Sequence, residues 1–469
     1  MTHPMPLQQR LGLILLATIL LLPCPLLHAA PPQARKWVAT WAQPMTPDYT
    51  RPNASYKTPG AQPAGKLALV PPPVATNITL RQTVLTSIGG DRVRIRLSNY
   101  DGSAPMVVTG AHVALGAAQS NNLAAIDAAS DRALTFHGHP SVTIAPGQVV
   151  TSDPVALRVP RLSHLTVSLY FAGRTTFNDV HPLEFGATTA VVAGNAMSAA
   201  TFADDKRLGV LGGKRPHRLF VLTGVDVLAP RTTRVIAAFG DSITDGAYAT
   251  TLAHPWPQQL SAIANRQPGQ PPVAVINEGL SSNELTVDQP GFPLAGMSGL
   301  KRFERDVIDQ PGITDVAVLF GTNDINRGSN NAGLPKGATS GDIIAGLRML
   351  ADVAHAHHLR IYVGTITPFA GFTLAGWYTP AKEAVRRRVN HWITHTHAID
   401  GVIPFAKALA GPYKPTPLAA AQSPLPPGLA TICAGDAGLH PNDRGYTVMG
   451  TLAYDVMFHA HVKAATACH

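Results

Sequence analysis

The stretch RVIAAFGDSIT, residues 234–244, decides how the second half of this chain folds. Its small and apolar residues run from Val235 to Gly240 and are followed by an acidic residue and a serine. A short continuous apolar run that stops at a glycine is typical of a strand buried on both faces. The polar residues after it predict a tight turn into a helix. Ser242 therefore stands at the end of a predicted strand, where it either caps a helix or attacks a substrate.

The same pattern of strand, loop and helix repeats along the chain after this stretch. Further short apolar strands are predicted at residues 272–279, 315–321, 359–366 and 398–405, and helical periodicity occurs at 298–308, 340–357 and 380–397. Strands that alternate with helices predict a parallel sheet covered by helices on both faces, which is an α/β fold. Ligand sites in such folds lie at the carboxyl ends of the strands.

The first half of the chain has a different periodicity. Residues 91–102 alternate arginines with Val, Ile and Leu, and residues 164–173 alternate large apolar residues with Thr, Ser and Tyr. Period-two alternation between glycine-containing turns predicts half-buried antiparallel strands. We therefore predict an all-β domain at residues 30–230, sandwich or jelly-roll-like, followed by the α/β domain at residues 231–469.

The first 29 residues have the layout of a secretory signal peptide. Arg10 precedes the twelve-residue apolar run 11–22, and small residues follow it up to Ala29. Twelve helical residues span about 18 Å, less than the ~30 Å of a membrane core. We predict cleavage after Ala29, a secreted or periplasmic protein, and no integral membrane segment after processing.

Charge and cysteine content indicate which partners and which cysteine chemistry to expect. The formal net charge of the 469 residues is +9, but the sequence has no dense Lys/Arg block, so a nucleic-acid partner is not predicted. Once the signal segment is removed, Cys433 and Cys468 remain. In an oxidising compartment they form either a disulfide or two free thiols, and the sequence leaves both open.

Four blocks carry a family resemblance, and they occur in a fixed order. They are AAFGDSITDG at 237–246, VINEGLSSNEL at 275–285, LFGTNDI at 319–325 and GDAGLHPNDRGY at 435–446. This order resembles the SGNH hydrolase superfamily, also called GDSL esterases, over about residues 231 to 458. The resemblance implies a flavodoxin-like, three-layer α/β/α catalytic domain and a serine esterase.

The resemblance also implies a nucleophile and a base. Ser242 takes the position of the nucleophile, and His440 in GLHPNDRGY takes that of the base. The family usually has Asp three residues before this His, where this chain has Ala437, and Asp436 lies four before. Either Asp436 still orients the imidazole, which we favour, or the site is a Ser-His pair with a backbone carbonyl in the third role.

Three oxyanion donors are implied as well: the Ser242 N–H, the Asn323 side chain and a backbone N–H of the second block. In the family the backbone N–H of the second block belongs to a glycine, whereas this chain has Ser282 at that position. That donor survives only if Ser282 adopts the required backbone conformation, and Gly279 is the alternative if the alignment slips. Two further acidic residues, Asp241 and Asp324, are predicted to fix loop geometry.

The sequence thus predicts a secreted serine esterase of short acyl esters, with O-acetyl groups on a carbohydrate as the favoured substrate. The predicted partner is an acylated carbohydrate or a small ester, and no metal or organic cofactor is needed. Two alternatives remain: a lipolytic or aryl-ester hydrolase, and a glycan-binding protein with a degenerate hydrolase domain. Trp377 and Tyr378 are either part of an acyl or sugar pocket or packing residues.

Overall fold

A computed structural model describes Met1 and residues 34–47, 73–117, 122, 124–182, 187–201, 218–267, 269–288, 295–327, 337–372, 376–411, 430–431 and 438–460. The described residues from Arg35 onward belong to one compact unit. Apart from Met1, the predicted signal peptide lies outside the described residues, and so do Cys433 and Cys468, the cysteines of the possible pair. Among the helices that are described, none is long and apolar enough to cross a membrane.

The β-region, residues 35–230, consists of short and medium strands. They are β1 (Arg35–Ala42), β2 (Thr46–Pro47), β3 (Val74–Ala75), β4 (Ile78–Leu85), β5 (Gly90–Asn99), β6 (Met106–Val108), β7 (Gly110–Leu115), β8 (Arg132–Ala133), β9 (Val142–Ile144), β10 (Gln148–Thr151), β11 (Val155–Val159), β12 (His164–Phe171), β13 (Thr175–Thr176), β14 (Asp179–His181), β15 (Ala187–Ala193), β16 (Leu219–Phe220) and β17 (Leu222–Pro230). One 3-10 turn, Ala128–Ser130, precedes β8.

Two five-stranded antiparallel sheets form the body of the β-region. The first has the order β1-β17-β5-β10, with β11 also paired to β5, and the second has the order β15-β4-β12-β7-β8. Val93, Ile95 and Leu97 of β5 share one core with Leu165 and other residues of β12, so the sheets pack face to face. This confirms the predicted strand-rich first half.

The alternation predicted half-buried strands, and β12 departs from that expectation. Its Thr166 and Ser168 are buried as well as its apolar residues. Thr166 Oγ1 lies 2.8 Å from Thr83 Oγ1, and the Arg81 guanidinium donates to Ser168 Oγ at 2.8 Å. The polar face of β12 can be buried because neighbouring polar side chains form hydrogen bonds with these hydroxyls. The alternation of residues along one strand does not reveal such partners.

The α/β-region, residues 231–460, contains a five-stranded parallel sheet. Its strands are β18 (Arg234–Gly240), β19 (Val273–Gly279), β20 (Asp315–Leu319), β21 (Arg360–Gly364) and β22 (Gly401–Ile403), and a separate antiparallel pair is formed by β23 (Ala410–Gly411) and β24 (Ala430–Thr431). The parallel order is β19-β18-β20-β21-β22. In order along the chain this is 2-1-3-4-5, the flavodoxin-like arrangement. The predicted α/β fold is confirmed.

Helices cover both faces of this sheet. They are α1 (Ser242–Asp245), α2 (Trp256–Arg266), α3 (Gly299–Phe303, continued by a π-helical turn Glu304–Ile308), α4 (Thr322–Asn326), α5 (Ser340–Ala356), α6 (Pro380–His395), α7 (Phe405–Leu409) and α8 (Asp443–Phe458). Helices α3, α5 and α6 share one core with the sheet, and α2, α7 and α8 share another. These are the three layers that the sequence predicted.

The β-region and the α/β-region are in direct contact. The Ala39 N–H of β1 donates to Pro311 O at 2.9 Å, and the Arg305 guanidinium donates to Met45 O at 3.2 Å. The predicted boundary at residue 230 coincides with the end of β17, where the antiparallel architecture gives way to β18. The division into two domains stays a prediction.

Candidate active site

Ser242 is the first residue of α1, directly beyond the carboxyl end of β18. Asp241 caps this helix, because its carboxylate accepts the Ile243 N–H at 3.0 Å. The helix is a single turn that ends at Gly246, whose φ is 109°. The Ser242 hydroxyl is therefore not the helix cap, and the side chain is half-buried at the edge of the sheet.

His440 lies in the loop before α8 and faces Ser242. The distance between Ser242 Oγ and His440 Nε2 is 2.9 Å. This is hydrogen-bond distance for a hydroxyl and the base that would accept its proton. The ring of Tyr248 stacks on the imidazole, with 5.4 Å between centroids and 25° between planes. The structure thus brings together two residues that are 198 positions apart.

The predicted acidic partner of the imidazole, Asp436, is not among the residues that the structure describes. It falls in the segment 432–437. The alternatives of a triad through Asp436 and a Ser-His pair stay as the sequence left them. Gly438, which follows that segment, has φ 96° and packs against Gly371, so a Cβ there would lie 2.6 Å from the Gly371 Cα.

Asn323 lies in the first turn of α4, beyond the carboxyl end of β20. Its side-chain amide donates to Asn283 O at 3.0 Å and lies 3.4 Å from Asp241 Oδ2. The shorter bond fixes the amide against the loop that carries Ser282. Asn323 and Asp241 therefore meet at the same edge of the sheet as Ser242, as the strand-end positions of their blocks predicted.

Ser282 has a backbone conformation that glycine adopts readily. Its φ is 64°, in the left-handed region that favours glycine. The turn that contains it closes through the Asn283 N–H, which donates to Leu280 O at 3.0 Å. The alternative donor, the Gly279 N–H, is engaged by Asn277 Oδ1 at 3.0 Å. Both positions therefore remain candidates for the backbone donor, and Ser282 is the one in the left-handed conformation.

The contacts of Asp324 are those of a residue that fixes a loop. Its carboxylate accepts the N–H groups of Leu285 and Thr286 at 3.0 and 2.9 Å, and the Thr286 hydroxyl at 2.8 Å. Complete burial raises the pKa of Asp324, and burial raises the pKa of Asp241 to about 7. Both carboxyl groups lie beneath the site and hold the segments that present Ser242 and Ser282.

A fully buried arginine under the site was missed by sequence reasoning. Arg302 of α3 donates to Gly240 O at 2.9 Å, to Glu278 O at 3.0 Å and to Asn283 Oδ1 at 2.8 Å, and its charge is balanced by Asp306 at 3.1 Å. One guanidinium therefore joins the ends of β18 and β19 to the turn after β19. In the sequence it is one charged residue of an amphipathic helix, which gives no sign of burial.

The two aromatic candidates for a pocket pack against the core. Trp377 forms an edge-to-face contact with Phe372, with 4.9 Å between centroids and 74° between planes. Both, together with Tyr378, are partly buried against a core cluster that includes Leu439, the neighbour of His440. Packing accounts for these contacts. Within the described ranges, no group of three or more His, Cys, Asp and Glu side chains is placed to hold a metal ion.

Comparison with known protein families gives a match in the second half of the chain. A family model described as the GDSL-like lipase/acylhydrolase family matches residues 238–448, which include Ser242, Asn323 and His440. A comparison with curated proteins found no match.

Several solved structures are similar to about half of the chain. An acetyl xylan esterase from Geobacillus stearothermophilus is 19% identical, with 49% of this chain and 97% of that chain covered and a TM-score of 0.35. The aryl esterase of M. smegmatis is 17% identical, with 47% and 97% covered and a TM-score of 0.33. A GDSL-like lipase from Bacteroides thetaiotaomicron is 16% identical, with 47% and 85% covered and a TM-score of 0.32.

Proposed function

Because residues 238–448 make this chain a member of the GDSL-like lipase/acylhydrolase family, we propose that Ser242 is the nucleophile of its ester hydrolysis. The chain is a carboxylic ester hydrolase. The observation that carries the assignment is the 2.9 Å distance between Ser242 Oγ and His440 Nε2. A serine hydroxyl becomes nucleophilic near neutral pH only with a base at this distance.

The reaction proceeds through an acyl-enzyme. His440 Nε2 takes the hydroxyl proton as Ser242 Oγ bonds to the carbonyl carbon, and a tetrahedral intermediate forms. The imidazolium then gives that proton to the alkoxide as the ester bond breaks, and the alcohol leaves. Water, deprotonated by His440, attacks the acyl-serine, and the imidazolium returns the proton to Ser242 Oγ as the acyl–serine bond breaks and the carboxylic acid leaves. Asp436 orients the imidazole in this proposal, and the Ser-His pair is the alternative that its substitution tests.

The negative charge on the intermediate is stabilised by three donors. The Ser242 N–H lies beside the attacking oxygen, the Ser282 N–H is presented by a left-handed residue with φ 64°, and the third donor is the Asn323 amide. The bond of Asn323 to Asn283 O holds that amide, whereas its 3.4 Å contact with Asp241 is long. The second N–H of the amide is therefore the one available to an oxyanion.

We propose O-acetyl or other short acyl groups on a carbohydrate as the substrate. Ser242 and His440 are both half-buried and thus close to solvent, which suits an ester whose alcohol is part of a bulky polymer. The signal-like segment and the preceding β-region are the arrangement expected of an exported carbohydrate esterase. A lipolytic or aryl-ester hydrolase is the alternative within the family.

The test is acetate release from acetylated xylan together with a p-nitrophenyl ester series from acetate to palmitate. Wild type is compared with Ser242→Ala and with Ser198→Ala, an exposed serine of the β-region. Acetate release that is lost only in Ser242→Ala, with activity falling as the acyl chain lengthens, supports the proposal. A preference for long chains moves the assignment to a lipolytic enzyme, and no activity on any ester favours the glycan-binding alternative.

Export is a separate proposal with its own test. Expression of the full chain in a bacterial host, followed by fractionation and N-terminal sequencing, should yield a secreted or periplasmic protein that begins at Ala30. Recovery of the chain from the cytoplasm with residues 1–29 intact would contradict export.

A further inference from the structure

Tyr248 combines an exposed ring with an unfavourable backbone. It lies six residues after Ser242, its φ is 68°, and 53% of its surface is accessible. For an L-amino acid the left-handed conformation is unfavourable, and an aromatic side chain does not relieve that cost. Burial does not compensate for it here either, because the ring is mostly exposed. Strained residues of this kind are concentrated in functional sites.

The position of the ring relative to the imidazole indicates what it would contact. The Tyr248 ring lies over His440 at 5.4 Å with 25° between planes, and Nε2 of that imidazole faces Ser242 Oγ at 2.9 Å. If Ser242 is the nucleophile, as proposed above, Nε2 delivers its proton to the oxygen of the departing alcohol. The alcohol must then be adjacent to the imidazole and to the aromatic ring stacked on it.

We propose that Tyr248 forms a leaving-group subsite that binds a six-membered ring by stacking. This inference rests on the proposed function and adds the chemistry of the alcohol to it. A pyranose presents C–H groups on its flat face and a phenol presents a π-face, and an exposed aromatic ring accommodates both. The residue thus selects cyclic over acyclic alcohols.

The test compares acetates that differ only in the alcohol: an acetylated xyloside, phenyl acetate and ethyl acetate. In Tyr248→Ala the ratio of kcat/KM for each cyclic ester to that for ethyl acetate should fall about two- to tenfold, the loss expected for one aromatic contact. In Tyr248→Phe, which keeps the ring, both ratios should be retained.

The outcomes show whether the subsite binds a sugar or an aryl ring, and whether the subsite or the proposed function has failed. If the kcat/KM ratio falls only for the xyloside, the subsite binds a sugar, and if it falls only for phenyl acetate, the subsite binds an aryl group. Equal losses on all three esters, or no loss, overturn the subsite. A wild-type enzyme that is inactive on all three, or a Ser242→Ala variant that is active, contradicts the proposed function instead.

A second observation concerns a buried histidine of the β-region. His181 ends β14, and its side chain is 0% exposed. Its Nδ1 lies 2.8 Å from Pro44 O, and its Nε2 lies 3.1 Å from Oδ1 of Asp245, the last residue of α1. Because a backbone carbonyl only accepts hydrogen bonds, Nδ1 carries a hydrogen, and the ring joins the β-region to the nucleophile's helix.

Asp245 also contacts the turn that contains Ser282. Its Oδ2 accepts the Ser281 hydroxyl at 2.6 Å, and its backbone carbonyl accepts the Asn277 side-chain amide at 3.3 Å. The packing is close, because a Cβ at Gly279 would lie 2.1 Å from the Asp245 nitrogen. A continuous buried path therefore runs from the β-region through one carboxylate to the neighbour of Ser282.

The geometry points to His181 as a positioning residue for the oxyanion donors, and so gives the β-region a role in catalysis. This inference too rests on the proposed function. If His181 is lost, Asp245 is buried without its partner and is free to reorient, which moves the Ser281 hydroxyl and the N–H beside it. Because His181 and Asp245 are fully buried and the donor they position acts on the tetrahedral intermediate, kcat rather than KM should respond.

The test uses His181→Phe, His181→Gln and Ser281→Ala, with His112→Phe as a matched control. His112 Nδ1 also pairs with an aspartate of the β-region, Asp131, at 2.8 Å, but it is not connected to α1. We expect kcat on p-nitrophenyl acetate to fall about 10²-fold in His181→Phe, with KM retained, because one oxyanion donor is worth about that much. His181→Gln should recover part of the loss, since its amide can still donate to Asp245.

Each outcome bears on this role. Lowered thermal stability with unchanged kcat in His181→Phe, or an equal kcat loss in His112→Phe, would leave His181 a merely structural residue. If His181→Phe does not fold, Ser281→Ala decides, because it removes only the hydroxyl: unchanged kcat overturns the path to Ser282. Failure of the proposed function is again distinguishable, because Ser242→Ala would then remain active.

Discussion

Replacing Ser282 by glycine tests whether one strained residue shapes the turn after β19. Ser282 has φ 64° and is half-buried. For an L-amino acid the left-handed conformation costs roughly 1–2 kcal/mol, and glycine adopts it at almost no cost. Glycine also gains freedom in the unfolded chain, which offsets about 0.4–1 kcal/mol. The difference predicts that Ser282→Gly raises the free energy of unfolding by roughly 0.5–1 kcal/mol.

Turnover distinguishes relief of strain from loss of the donor. Glycine retains both the φ angle and the N–H of residue 282, so Ser282→Gly should keep its kcat on p-nitrophenyl acetate. Valine is β-branched and resists the left-handed region. Ser282→Val should therefore displace the N–H and lower kcat by about 10²–10³, the usual loss for one oxyanion donor.

The assay is a pair of measurements on each variant, the thermal unfolding midpoint and kcat. His358→Gly is the matched control, because His358 has φ 59°, is exposed and precedes β21 at the opposite end of the sheet from Ser242. It should gain stability with no change in kcat. The reasoning is refuted if Ser282→Gly is less stable than wild type, or if Ser282→Val is as active as wild type.

Three further predictions concern other residues of the same chain. Asn323→Ala should lower kcat by ~10²–10³ with little change in thermal stability, and unchanged kinetics would remove its amide from the oxyanion site. Asp436→Asn should lower kcat by about 10⁴ if the carboxylate orients the imidazole, whereas a loss below tenfold would favour the Ser-His pair. Burial and the neighbouring Asp179 raise the pKa of Asp101 to about 7, so the folded protein holds this proton more tightly than the unfolded chain, and stability falls as the pH rises from about 4 to 7. Asp101→Asn should therefore raise the thermal unfolding midpoint at pH 8 but not at pH 4. The pKa of Asp91, in contrast, is lowered by its salt bridge to Arg35, so Asp91→Asn should lower the midpoint at pH 8. A midpoint change of the same sign in both variants at pH 8 would contradict the argument.

The parallel sheet was predictable because its strands are buried on both faces. The run 234–240 coincides with β18, and the predicted strands at 272–279 and 315–321 contain β19 and β20. Such strands are apolar along most of their length, so a nearly continuous run marks them without reference to the rest of the chain. The last predicted strand, 398–405, was too long, because β22 covers only Gly401–Ile403.

The supports of the site were not predictable in the same way. Arg302, His181 and Tyr248 are ordinary residues in the sequence, and their roles arise from partners far along the chain. Arg302 donates to a carbonyl 62 residues away, and His181 pairs with a carboxylate 64 residues away. Hydrophobic periodicity reports which face of an element is apolar, but it does not report which polar side chain finds buried partners.

These buried partners also explain how an irregular edge of the sheet keeps one geometry. The loops after β18, β19 and β20 do not form a continuous ladder of backbone hydrogen bonds with each other as the strands do. The Arg302 guanidinium, the Asp324 carboxylate and the Asp245 carboxylate supply the missing partners from beneath. A buried charge adds little net stability over an apolar substitute, because desolvation offsets its attraction. Its contribution is a fixed set of donor and acceptor directions, and the placing of Ser242, Ser282 and Asn323 depends on those directions more than on hydrophobic packing.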